Sequence, residues 1–225
     1  MLGALVALPF TVIRLKLTSE NNEEIRKQSL HNSDVLYNQK LRDAQIDLYA
    51  RYQKTKKLRD GTYIDVWTDD VMLRNSAIDR LKERADERPE MAKRIARILC
   101  LYLKEMTQAY PPEQPPENED ELKAWAQNLS VKRTDMENAA QVLGQFSRTL
   151  GIPTKRLEID LTSVNLQAMN LTNCSFKLAQ MENCAIDATN FEQTNLTNAN
   201  LMRASCIETN FHRAHLERTK MQNAD

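Results

Sequence analysis

Along residues 159–225 an apolar side chain recurs at every fifth position: Leu161, Leu166, Leu171, Phe176, Met181, Ile186, Phe191, Leu196, Leu201, Cys206, Phe211, Leu216 and Met221. Two places before each stands a small or modest residue, as at Val164, Cys174, Ala179, Thr189 and Ala199, and the position between is mostly polar. Asn fills it at Asn165, Asn170, Asn190, Asn195, Asn200 and Asn210. A helix cannot use this period, because five steps of about 100° spread the apolar positions around its surface. A flat strand cannot use it either, since an odd period alternates faces. A chain that turns a corner in every quintet can bury both apolar positions, and an unbroken short period predicts a stacked solenoid.

The remaining pattern predicts helices. Residues 1–13 are almost wholly apolar and end at Arg14 and Lys16. That run gives about 20 Å of helix, short of the roughly 30 Å of a hydrocarbon core. We read 1–17 as the end of a transmembrane or membrane-anchoring helix, with Leu2, Leu5, Val6, Leu8, Phe10, Val12 and Ile13 as the anchor. No basic leader or small-residue cleavage site marks a signal peptide, and the basic flank places the rest on the cytoplasmic side. From Ser19 to about Leu58 there is no Gly or Pro, which predicts a long charged stalk over 18–60 that becomes buried near its end, where Leu41, Ile46, Leu48 and Tyr49 recur. After Gly61, a helical domain over 61–152 is expected. Asp70 would cap a helix with Leu73, Ala77, Ile78 and Leu81 on one face. Pro89 would open the next, with Met91, Ile95, Ile98, Leu99, Tyr102 and Met106 inward. A Pro-rich linker at 111–116 precedes a last pair of helices. Thr134 and Glu137 suggest a capping box, Val142, Leu143 and Phe146 an apolar face, and Gly151 with Pro153 an end.

The quintets over 157–225 resemble the pentapeptide-repeat family, whose repeats read roughly Ala-(Asn/Asp)-Leu-x-x. The resemblance implies an α+β chain: a membrane-proximal helix and small helical domain, then a right-handed quadrilateral β-helix of about three coils. With four quintets per coil, columns such as Leu171/Phe191/Phe211 would fill the interior. Asn170/Asn190/Asn210 would form an outer column, best read as turn chemistry and mutual hydrogen bonding. The sequence stops at Ala224-Asp225, one residue before another apolar centre is due. A solenoid end needs a cap, so a longer parent chain or a covering partner is expected there. The stretches 73–81, Arg88-Pro89-Glu90 and 139–144 are similar to a bacterial arrangement that pairs a membrane segment and a helical unit with such repeats. Asn75 and Ser76 depart from its usual Gly pair. That layout implies no particular chemistry.

Charge and candidate chemistry narrow the function. Lys plus Arg equals Asp plus Glu at 31 each, so no nucleic-acid partner is expected. Residues 156–225 hold six basic and eight acidic side chains, too mild an imbalance for the DNA-mimic reading, in which quinolone-resistance pentapeptide proteins modulate DNA gyrase. Cys100, Cys174, Cys184 and Cys206 form no C-x-x-C pair and read as small reduced hydrophobes, suiting a reducing compartment. His212 and His215 lack a catalytic companion set, four scattered Gly make no phosphate loop, and the acidic clusters lack a calcium-loop Gly. We therefore expect no catalytic, cofactor or metal residues. The expected role is a membrane-anchored, non-catalytic protein-interaction or scaffold protein, open to oligomerisation or to service as an accessory subunit of a membrane complex. The alternatives are the gyrase modulator and an enzyme with a site at the helical/β-helix junction. Outward-facing candidates for the partner surface are Gln167, Lys177, Gln180, Glu192, Arg203, Glu208, Arg213 and His215.

Overall fold

The computed structural model describes the backbone of residues 3–149, 152 and 157–224, and the side chains of 14, 16–148, 152 and 157–224. Within that range the chain divides into two units, residues 1–43 and 44–225.

A helix that no Gly or Pro interrupts after Pro9 is long for a reason of composition. Helix α1 spans Gly3–Asp47, rich in Glu, Lys, Gln and Arg, which lose little side-chain freedom in a helix. In the first unit, every described side chain from 16 through 36 is exposed, Leu17, Ile25, Leu30, Val35 and Leu36 included. Burial begins near the end of the helix, as expected, at Tyr37, Leu41 and Ala44, whereas Ile46 stays exposed. Among the described residues no helix is long and apolar enough to cross a membrane. This overturns the membrane-associated, cytoplasm-facing placement drawn from the sequence. The apolar run meets Arg14 and Lys16 and gives way to a polar stretch from Thr18. Leu2 lies outside the described residues, and the side chains of Leu5, Val6, Leu8, Phe10, Val12 and Ile13 do as well.

The second unit opens with a correction to the stalk. Instead of continuing to Leu58, the helix ends at Asp47, and strands β1 (Arg51–Lys57) and β2 (Tyr63–Asp69) pair antiparallel from Arg51↔Asp69 to Lys57↔Tyr63. Gly61, at φ +87°, serves the hairpin turn, where its N–H donates to the Leu58 carbonyl. Such a φ suits a residue without Cβ.

Helix α2 (Val71–Glu87) begins as expected, with the Asp70 carboxylate accepting from the Leu73 N–H at 2.9 Å. It buries Ala77, Ile78, Leu81 and Ala85, while Leu73 remains partly exposed. A 3-10 turn at Pro89–Met91 leads into α3 (Ala92–Ala109), which buries Ile95, Leu99, Tyr102 and Met106. Helix α4 (Glu119–Asn128) follows the Pro-rich stretch, and α5 (Thr134–Thr149) packs on α2 and α3 with Val142, Leu143 and Phe146 buried. Glu137 does not close the expected capping box. Its carboxylate instead accepts from the Asn170 N–H at 2.7 Å. Gly151 and Pro153 lie outside the described residues.

A charged network ties hairpin to helices. Asp69, at the end of β2, accepts from Arg74 at 2.7 Å, Arg133 at 2.8 Å and Tyr110 at 3.0 Å. The fully buried Asp135 accepts from Arg133 at 2.6 Å and from the Tyr102 hydroxyl at 2.7 Å. Pairing with several donors is what makes such burial of charge tolerable.

Beyond residue 157 the period of five becomes a spatial period of twenty. Isolated parallel bridges join residues twenty apart, from Asp160↔Gln180 to Asn200↔Lys220. The N–H of each central apolar residue from Leu161 to Leu201 donates to a carbonyl nineteen places on, as Leu161 to Gln180 at 2.7 Å and Phe191 to Asn210 at 2.8 Å. Each quintet turns through an i+3 bond such as Val164 N–H to Leu161 C=O. The residue before the bond closes lies at positive φ in every quintet, from Glu158 to Asn223. Among the described residues fourteen non-Gly residues adopt this left-handed region, and only four are Asn. The turn demands it, as in a type II turn, and stacked layers hold it in place.

The central apolar residues from Leu161 to Leu201 are fully buried, and Phe176, Phe191 and Phe211 form a run of ring contacts. Thr enters the buried small position because its hydroxyl reaches a carbonyl twenty-three places back: Thr189 to Leu166 and Thr194 to Leu171, both at 2.7 Å. The outer Asn column does turn chemistry. Asn170, Asn190 and Asn210 each accept from the N–H two places on, and Asn210 donates to Asn190 at 2.9 Å.

Candidate interaction cleft

Helix α5 is held against the first repeat layer by its lack of a side chain at one position. Gly144 lets the backbones approach, so that the Ser175 N–H donates to the Gly144 carbonyl at 2.7 Å. A Cβ at 144 would sit 2.5 Å from the Cys174 Cβ. One turn on, Arg148 donates to the Asn173 carbonyl, and Gln141 donates to that of Asn170 at 2.8 Å.

Beside this contact lies a cleft of ≈ 710 Å³, lined by residues of α5 and of the repeats. Ser147, Arg148 and Ile152 form one wall. The other rises through three layers: Asn173, Cys174, Ser175 and Lys177, then Gln193 and Asn195, then Arg213 and His215. Stacking at twenty residues aligns Ser175, Asn195 and His215 as one bridged column.

The electrostatics of this cleft are one-sided. Arg148, Lys177 and Arg213 are exposed cations, and among the described residues no carboxylate lines the cleft. Among the described residues neither Lys177 nor Arg213 has an ion pair. Glu217 borders it, with an oxygen 3.7 Å from the His215 Nδ1. Its own backbone N–H, the Thr197 hydroxyl and His215 hold that carboxyl below the usual range. A second cleft, lined by Lys93, Arg97, Lys104, Glu158 and Asp160 among others, differs in kind. There Lys93 pairs with Glu158 and Lys104 with Asp160.

Of the eight residues proposed from the sequence, the structure gathers Lys177, Arg213 and His215 into the first cleft. Gln167 is a correction. It is 2% exposed, its amide exchanging hydrogen bonds with the Glu113 backbone and donating to the buried Asp187 at 2.8 Å. An outward repeat position became interior because the Pro-rich stretch covers it. Arg203 pairs with Glu182 and donates to Asn183, and Gln180 accepts from Asn200. Glu208 is exposed and Glu192 half-buried, both outside the cleft. Sequence reasoning missed Arg148, Gln193 and Asn195. The twenty-residue fold of the columns could have found the last two, but only the packing of α5 reveals Arg148.

Burial pushes the Cys174 thiol up to about 11 and the Cys184 thiol up to about 12. Protonated at neutral pH, the Cys174 thiol in the cleft is a poor nucleophile.

The spacing and its stacked columns agree with the sequence comparison. Residues 159–198 and 199–225 match the family described as pentapeptide repeats, in eight copies. The segment 159–225 is a pentapeptide-repeat segment. Among solved structures, it is similar to a pentapeptide repeat protein, Rfr23, from the cyanobacterium Cyanothece 51142. Identity is 26%, over 29% of this chain and 52% of that one, with a TM-score of 0.26. The chain thus spans about half the length of that protein. No curated protein matches it. Pentapeptide-repeat proteins are generally non-catalytic and typically interact with proteins.

Proposed function

We propose that this is a non-catalytic protein-interaction or scaffold protein, working as an accessory or assembly subunit of a larger complex. In this reading residues 61–152 are a helical domain, with 111–116 as its linker. The pentapeptide repeats over 157–225 are a right-handed quadrilateral β-helix of about three coils. The twenty-residue bridges support that geometry. The observation that carries the function is the cleft beside α5, where cations from a helix and from two repeat layers face solvent with no carboxylate among the described lining residues. An exposed, one-signed surface on a rigid frame steers and orients a partner. The same cations disfavour imitation of duplex DNA, which needs a strongly acidic face.

The test is chemical crosslinking of the full chain in its native extract, followed by identification of the captured proteins. Reversing Lys177, Arg213 and Arg148 together is expected to remove specific capture while the far-ultraviolet circular dichroism is kept. Unchanged capture would remove the cleft as the interaction surface.

A further inference from the structure

The charges of the cleft specify its occupant. We propose that it docks a short, acidic, extended peptide segment of a partner protein; this rests on the interaction reading above. Three features support it. Arg148, Lys177 and Arg213 offer cationic donors from two walls with no carboxylate between them. Gln193 and Asn195 stand in the middle layer: the Gln193 amide can both donate to and accept from a peptide backbone, and Asn195, whose oxygen accepts from the Thr197 N–H, keeps its amide N–H groups as donors. The cleft, at ≈ 710 Å³, has room for a few residues of chain rather than a folded domain.

The surroundings limit the length of the anion. Glu217 borders the cleft beside His215, and Glu192 precedes Gln193 in the chain. A long polyanion, such as a nucleic-acid strand running past the cleft, would meet these carboxylates. A short segment with two or three carboxylates would not. Arg148 is held in place by its bond to the Asn173 carbonyl, so part of the recognition geometry exists before the ligand arrives.

The experiment uses the full chain and a fluorescently labelled short poly-glutamate peptide, followed by anisotropy. A poly-glutamine peptide of the same length and a single-stranded oligonucleotide of the same charge run alongside. The acidic peptide is expected to bind best and to weaken as salt is raised. K177E/R213E is expected to weaken it by more than about tenfold, and K177Q/R213Q by less. R203E/K220E, an equal change of charge outside the cleft, should leave binding unchanged. Equal binding of poly-glutamine, tighter binding of the oligonucleotide, or equal losses in R203E/K220E would each overturn the proposal. If the acidic peptide fails while crosslinked partner capture still depends on the repeat face, this inference falls and the interaction reading stands. If capture does not depend on the repeat face either, both fall.

Discussion

Leu178 shows at the residue scale what a five-residue turn costs. It lies at φ +66° and is 39% exposed, so a branched apolar side chain occupies a left-handed position without the reward of full burial. Asn adopts that region more easily. Leu178→Asn is expected to stabilise the chain by up to about 1 kcal/mol, and Asn183→Leu, at φ +56°, to destabilise it similarly. Urea unfolding monitored by circular dichroism would measure both. Residue identity along the repeats told which side chains face inward, because inwardness there depends only on position in the quintet. It could not tell which outward ones remain outside. Gln167 is outward by register and buried by the Pro-rich stretch, a contact made across 54 residues of chain.

At the scale of elements, the fit between α5 and the first repeat layer hangs on Gly144. Gly144→Ala would force a Cβ to within 2.5 Å of the Cys174 Cβ, so backbone must move. The expected loss is about 1–3 kcal/mol in unfolding free energy. Faster amide exchange at Ser175, whose N–H donates to the Gly144 carbonyl, would locate the damage. The hairpin depends on a different device. Burial pushes the Asp69 carboxyl up, but hydrogen bonds from Arg133 and Tyr110 and the charges of Arg74 and Arg133 outweigh it and hold it below the usual range. A depressed carboxylate stabilises the fold above its unfolded value of about 3.9, and that stability is lost as pH falls through the lower folded value. Asp69→Asn is therefore expected to lower the thermal midpoint at neutral pH and to flatten its fall in acid; an unchanged acid limb would assign that limb elsewhere. Sequence pattern showed α2, α3 and α5 because their apolar faces keep a helical period. It hid β1 because Arg-Tyr-Gln-Lys-Thr-Lys-Lys has no apolar face and is exposed along its whole length. What holds β1 is pairing to β2 and the charged network at its base, neither visible in a linear pattern.

Taken whole, the molecule balances its charges at 31 and 31 yet distributes them unevenly. The apolar residues at its start suggested a membrane, but among the described residues no helix is long and apolar enough to cross one. The candidate cleft was half legible: Lys177, Arg213 and His215 come together by register, whereas Arg148 arrives only through the docking of α5. The bridges between residues twenty apart carry a further implication for how such a chain can change in length. Gaining or losing a single quintet would keep the repetitive grammar intact, yet every residue after it would inherit a new neighbour, a quarter of a layer out of step. Lys177 and Arg213 would then look in different directions. A change of twenty would return each side chain to its own column, merely adding or removing a storey. For this protein, lineage drift in length should therefore be quantised, with the proposed recognition face surviving only whole steps.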